Sequence, residues 1–381
     1  MVSGAVIKVL FVFATAVGVL APLAAWAERR QGALMQDRIG PNRADLHGAS
    51  LLGLLHPLAE SLKLFAKEDL APSRDRFLHL AAPFVATVPV IAALAVVPFG
   101  GRYEIAGTHL NLIAADVDWG VLWVFAMLSI ATLGPLIAGW SSNSGWGLQG
   151  GLRAAAQLIS CEVAMGLSLV GVFVIFGSLR LSDMALAQDQ TWRVLVVAEG
   201  LIPADFSFLV EWVLLPRWGV FLQPFAFLLA LTCMLAATRR PPFDLSEAGS
   251  ELVGGHLTEY SGMRFGLFRL AQYVEMVLVA SVMTSVFLGG WSIPYLSQAT
   301  LVDAVARFLG EGFATGLCMV IHVAVFFTKV VVMLWLQLLI RWSMPRFRYD
   351  QLMDLCWKVL LPLALANALV TAACLLALGS A

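Results

Sequence analysis

The sequence predicts an all-α polytopic membrane protein with eight transmembrane helices and an interfacial amphipathic helix in its first cytoplasmic loop. Three observations lead there. Of 381 residues, 60% are hydrophobic and 13% charged, and the mean hydropathy is +0.85; soluble domains sit near half apolar and a quarter charged. Eight segments, near 5–27, 78–100, 119–140, 155–177, 218–237, 265–288, 313–340 and 359–379, supply the ~20 apolar residues a bilayer crossing needs. The odd-numbered loops carry 16 of the 24 Lys and Arg residues, the even-numbered loops 5 (Arg102, Arg180, Arg193, Arg217 and Arg307), and Lys8, Arg269 and Lys329 fall inside spans. The excess of positive charge assigns the odd loops to the cytoplasm and both termini to the opposite side. The whole of 1–381 reads as a single membrane domain.

The first segment ends on Ala25-Trp26-Ala27, which resembles a leader cleavage site. Arg29 and Arg30 follow the apolar run instead of preceding it, so it reads as an uncleaved span. The loop 28–77 then holds Leu51, Leu54, Leu55, Leu58, Leu62 and Phe65 at three- and four-residue spacing, with Glu60, Lys63 and Lys67 opposite. This is the pattern of a helix lying at the membrane surface, too short and too charged to cross. In the same loop Gly40-Pro41 sets a turn that presents Arg38 and Arg43, guanidiniums suited to lipid headgroups, a partner's acids or a polar ligand.

The third cytoplasmic loop, 238–264, is the acidic one. Asp244-Leu-Ser-Glu247 has the form of a capping box. A helix starting there would set Glu247 and Glu251 one turn apart, with Asp244 on the same face, and such neighbours raise one another's proton affinity. Glu259 follows. Glu162 lies inside the fourth span with no basic residue within a turn, and an intramembrane acid marks a functional site by default. His322 and Lys329, seven residues apart, form a polar stripe on the seventh span, whereas Arg269 and Glu275 on the sixth share no face. Gly145, Gly147 and Gly150 satisfy GxGxxG but read as a short loop between spans, without the strand and later acid a dinucleotide site requires. The five cysteines are scattered in or near apolar segments and read as small buried hydrophobes, without metal spacing.

Several stretches carry a family resemblance: RIGPNR, PLAE with KLFAKED, GWSSNS followed by LRAAAQLISCE, PFDLSEAGSEL with TEYSGMRFGLF, and MPRFRYDQLM with WKVLLPL. In order and over nearly the whole chain, they resemble the H-type membrane subunit (also called subunit 1) of NADH:quinone oxidoreductase, respiratory complex I. The resemblance implies a multi-pass subunit of a bacterial inner membrane that binds no cofactor of its own. It further implies quinone as substrate, and FMN and iron–sulfur clusters in partner subunits. The implied partners are the hydrophilic quinone-site and iron–sulfur subunits, the antiporter-like membrane subunits and membrane lipids, with no nucleic acid. Matching positions imply a quinone chamber using Arg38, Arg43, Glu60, Lys67, Glu68, Phe243 and Asp244. They imply an acidic proton path through Glu162, Asp244, Glu247, Glu251 and Glu259, and subunit contacts at Arg346, Arg348 and Asp350. Against the family pattern, Ala237, Gly249 and Gln272 stand where acids are common, Arg239 where Asn is common and Cys161 where Tyr is common, so the path is sparser; Glu275 is a candidate compensation. The related membrane subunit of a [NiFe] hydrogenase or formate hydrogenlyase is the alternative, and a stand-alone transporter a third reading, which lacks the internal repeat it would need.

Overall fold

The computed structural model describes residues 2–45, 48, 51–69, 75–105, 108–189, 191–193, 214–296, 298–309 and 311–379. Arg74 of the first loop and 194–213 of the long connection 178–217 lie outside the described residues. Among the described residues seven helices are long and apolar enough to cross a membrane: α1 (Val6–Met35), α3 (Arg76–Val96), α4 (Gly120–Ser141), α5 (Gly145–Phe176), α8 (Gly262–Phe287), α10 (Phe313–Ser343) and α11 (Tyr349–Ala377). Between them lie α2 (His56–Ala66), α6 (Leu181–Ala187), α7 (Pro224–Ala237) and α9 (Gln298–Leu309). Two antiparallel strand pairs, β1 (Arg102–Ile105) with β2 (Thr108–Asn111) and β3 (Thr191–Arg193) with β4 (Leu214–Pro216), accompany them among the described residues. The protein is an all-α polytopic membrane protein.

Helix α8 is the central post: 89% of its apolar window is buried inside the chain, against 17% for α11. Every residue from Val274 to Phe287 is buried, which explains why its sequence shows an apolar run and not an amphipathic stripe.

Four boundaries differ from the sequence expectation. The first span does not end at residue 27; the helix continues to Met35, so Glu28, Arg29 and Arg30 ride on a helix and not in a loop. The fourth begins at Gly145, which places the GxGxxG glycines in its first turns and leaves only three residues, 142–144, between spans. Close packing explains two of them, Gly147 and Gly150, whereas Gly145 faces open space. A Cβ on Gly150 would sit 2.6 Å from the Cα of Gly255, so α5 approaches the acidic loop backbone to backbone. The eighth starts at Tyr349, not 359. The expected span 218–237 is the helix Pro224–Ala237 preceded by the single turn Gly219–Leu222. Its 14 residues rise about 21 Å, short of a ~30 Å hydrocarbon core. Pro224 lacks the N–H needed to continue the turn, and Gln223 uses the break to donate to Thr371 (2.7 Å) and accept from Asn367 (3.0 Å) on α11.

The polar stripe of α10 divides. His322 Nδ1 meets the Tyr103 hydroxyl at 2.6 Å on β1, while Lys329 donates to the carbonyls of Leu288 (2.7 Å) and Ser292 (2.6 Å) past the end of α8.

Candidate functional site

The end of the bundle that carries the odd-numbered loops gathers most of the arginine–carboxylate pairs. Residues 21, 22, 25, 28 and 29 form one face of α1, and residues 265, 266, 269, 270 and 273 one face of α8. With α2 laid across them they enclose a cavity of about 300 Å³. Its charged lining is Glu28, Arg29, Glu60, Arg269 and Arg341. A second, wider cavity of about 810 Å³ shares Glu28, Arg29 and Arg341 and continues to Arg38, Ile39, Gly40 and His56.

Glu28 organises the wall. Its carboxylate is paired with Arg240 and, at 2.7 Å, with Arg341; all three side chains are at most 19% exposed. Arg240 also stacks on Tyr273, 4.3 Å from the ring centre. Arg29 pairs with Glu60 across the mouth. The face of α2 that packs inward is the one carrying Pro57, Glu60 and Leu64, whereas Leu58, Leu62 and Phe65 are 60–70% exposed. Glu60, expected opposite the apolar stripe, is therefore the residue turned to the cavity.

The acidic loop is not helical from Asp244; turns carry it to a short 3₁₀ segment at Gly255–Leu257. Its acids consequently do not stack. Asp244 pairs with Arg346 at 3.0 Å, and Glu251 pairs with Arg153 at 2.7 Å. Glu247 accepts from Gln272 and lies 3.7 Å from Arg269 and 3.9 Å from His256. Glu259 is exposed. Asp244, Glu247 and Glu251 have each found their own cation, because like charges disperse where the backbone allows.

Burial, with Glu247 nearby and Arg346 and Arg341 opposing, pushes the Asp244 carboxyl up to about 6. Its side chain is only 13% exposed. A raised carboxyl contributes stability that is present below about pH 4 and lost as pH rises towards about 6. Thermal stability is therefore expected to fall between about pH 4 and 6, and Asp244→Asn to flatten that slope; an unchanged slope would contradict the assignment. Burial also pushes His256 down to about 4, ahead of the opposing pull of Glu247, so His256 is neutral at about pH 7.

The remaining expected residues are dispersed. Phe243 is buried and stacks on Phe347 with ring centres 5.3 Å apart; its carbonyl accepts from Gln157. Arg38 lines the wider cavity. Arg43, Lys67 and Glu68 are exposed and line neither cavity. Arg346 is held within the chain by Asp244, while Arg348 and Asp350 are exposed. Glu162 accepts from Ser129 at 2.8 Å, on the side of α4 and α5 where Ser129 is exposed. Cys161 and Cys356 face each other at 2.9 Å as free thiols.

Sequence reasoning missed Glu28, Arg29, Tyr273, Arg240 and Arg341 as site residues. The signal was available: Glu28 and Arg29 continue the i, i+4, i+7 face begun at Ala21 and Ala25, and a polar pair at the end of an apolar face points inward. Glu275, suggested by sequence only as a compensation, is 2% exposed and accepts from Arg239 at 3.0 Å. As expected, it does not pair with Arg269.

Long apolar helices around one buried post, with arginine–carboxylate pairs enclosing a cavity at one end, define a multi-pass membrane protein with an ionic site at its edge. The chain belongs to the NADH dehydrogenase family, whose model matches residues 7–372. It is 37% identical over 359 residues to the first of the H-type subunits of the NADH-quinone oxidoreductase of Cytophaga hutchinsonii, covering 94% of this chain and 93% of that one. It is 40% identical to the corresponding NADH-quinone oxidoreductase subunit of Bdellovibrio bacteriovorus, covering 92% and 91%, and 41% identical to that of Thermomicrobium roseum, covering 90% and 87%.

Proposed function

We propose that this chain is the membrane subunit of an NADH:quinone oxidoreductase that walls the quinone chamber and begins the proton-coupling path. The observation that carries this reading is the 300 Å³ cavity, which combines apolar walls (Ala21, Ala25, Leu64, Leu270) with Glu28, Arg29, Glu60 and Arg269. An amphipathic headgroup needs that combination: apolar surface for the ring, and a few placed polar groups for its oxygens. The outward Leu58, Leu62 and Phe65 of α2 would rest in the lipid interface, so a quinone could pass from the membrane under α2 without entering water. Electrons would come from an iron–sulfur cluster in a partner subunit.

Glu247, Asp244, Glu251 and Glu162 would respond to the charge of the bound quinone, because electrostatic coupling is strong away from bulk water. Glu162, facing the exposed side of α4 and α5, would hand protons to a neighbouring membrane subunit. Glu162→Gln and Glu251→Gln are expected to lower pumping-coupled quinone reduction while the complex still assembles, measured as NADH:quinone activity and acidification in the same vesicles. Full activity and pumping in both variants would remove these acids from the path. The whole function is tested by tagging the chain and purifying it in mild detergent. Co-purifying NADH:quinone reductase activity, blocked by a headgroup-competing inhibitor, is the expected result, and hydrogen evolution without quinone dependence would overturn it.

A further inference from the structure

Arg269 belongs to two sites at once. It lines the cavity on the α8 wall, and its Nη1 lies 3.7 Å from Glu247 Oε2 while donating to Gln272 Oε1 at 3.2 Å. Glu28 is already shared by Arg240 and Arg341, and Arg29 is committed to Glu60. The cavity lining thus holds three guanidiniums against two carboxylates, and Arg269 is the one whose carboxylate partner, Glu247, lies outside that lining. Its ion pair is also the loosest of the cavity arginines, and its side chain is 43% exposed, so it can turn without breaking the buried framework.

We propose that Arg269 is an ion-pair switch: an anionic oxygen entering the cavity draws its guanidinium away from Glu247, transmitting the ligand's charge to the acidic loop. This rests on the functional reading above, with the reduced quinone headgroup as the anion. A guanidinium offers several donors in a planar fork and exchanges one oxyanion for another at small geometric cost. The two oxyanions compete for the same charge, so occupancy of the cavity and pairing of Glu247 exclude each other. Once Arg269 leaves, Glu247 keeps Gln272 and neutral His256 as neighbours, with Asp244, Arg240 and the Arg239–Glu275 pair within electrostatic reach. The carboxylate that has lost its countercharge binds one proton from water and releases it to water when Arg269 returns. One O–H breaks in a solvent hydronium as one forms on the carboxylate, and the return of Arg269 reverses both. Arg269 is thereby a binding residue for the ligand and a positioning residue for Glu247.

The test uses the intact purified complex and redox-induced infrared difference spectra together with quinone kinetics. Reduction of the bound quinone is expected to produce a carboxylic acid C=O band that Glu247→Gln removes. Arg269→Gln should raise the quinone KM about tenfold, the worth of one charge-assisted hydrogen bond, and abolish the redox-linked band, since Glu247 then lacks its guanidinium in both states. Arg269→Lys, which keeps the charge, should restore part of both signals and guards against a folding artefact. An unchanged KM and an unchanged band in Arg269→Gln would overturn the switch while leaving the subunit's function intact. A band produced by adding anionic lipid without reduction would overturn the reduced quinone as the anion that throws the switch, by giving that role to a phosphate headgroup. Absence of inhibitor-sensitive activity in the unmutated complex would instead defeat the functional reading beneath it.

Discussion

Glu28→Ala is expected to destabilise the chain by about 3–5 kcal/mol, because it strands two buried guanidiniums at once. Arg240 and Arg341 both use this carboxylate, and their side chains are 7% and 19% exposed. Among the described residues neither has another carboxylate partner within 4.0 Å, and Arg240 retains only the face of Tyr273. The uncompensated charges would repel each other and draw water between α1, α10 and the loop that follows α7, the three elements that the triad joins. The variant should be lost from the assembled complex, read as yield of tagged complex and as its thermal midpoint. Glu28→Gln, which retains hydrogen-bond acceptance without charge, should lose less. A Glu28→Ala complex with normal yield and midpoint would show that the triad does not hold these elements together.

Glu275→Ala is expected to have a comparable cost by a different route. Arg239 and Glu275 bury a single ion pair, 6% and 2% exposed, between the end of α7 and the middle of α8. Removing one partner leaves a naked charge in the core of the bundle, at roughly 3–5 kcal/mol. Replacing both with apolar side chains of similar volume removes the charge problem and is often neutral or stabilising. Arg239→Met with Glu275→Leu should therefore recover most of the midpoint lost by either single change. If the double variant assembles but no longer couples quinone reduction to proton movement, the pair acts in the path as well as in the fold. Equal thermal midpoints for Glu275→Ala and the unmutated complex would contradict a structural role for the pair. A Gly150→Leu change should also be disruptive, since any side chain there meets the backbone at Gly255 and displaces the turn that holds His256.

The fold is largely legible in the sequence because a bilayer leaves little choice: long apolar runs must be helices. The edges are not. At α1 the sequence turns polar at Glu28, and polarity suggests the end of the helix, although backbone hydrogen bonding continues to Met35. The same rule hides the site, since Glu28, Arg29 and Arg341 read as solvated loop charges when they are cavity walls. The break at Gln223 is signalled by Pro224 but outweighed by the apolar run on either side. In the acidic loop, spacing suggests a helix and a stacked carboxylate cluster. The actual pairing depends on Arg153, Arg269 and Arg346, which are distant in sequence from Glu251, Glu247 and Asp244 and invisible to local reasoning. Motif matching locates the loop correctly; only the tertiary arrangement assigns each acid its partner.

Whether the cavity between α1, α2 and α8 receives the quinone headgroup is tested most directly by photolabelling. The intact complex would be labelled with a quinone carrying a photoreactive headgroup, and its peptides read by mass spectrometry. Labelling is expected on the peptides bearing Ala21–Arg29, Pro57–Leu64 and Phe265–Tyr273, suppressed by a headgroup-competing inhibitor. Labelling confined to other peptides of this chain or to its partners, or labelling of these peptides that the inhibitor leaves unchanged, would contradict a quinone site in this cavity.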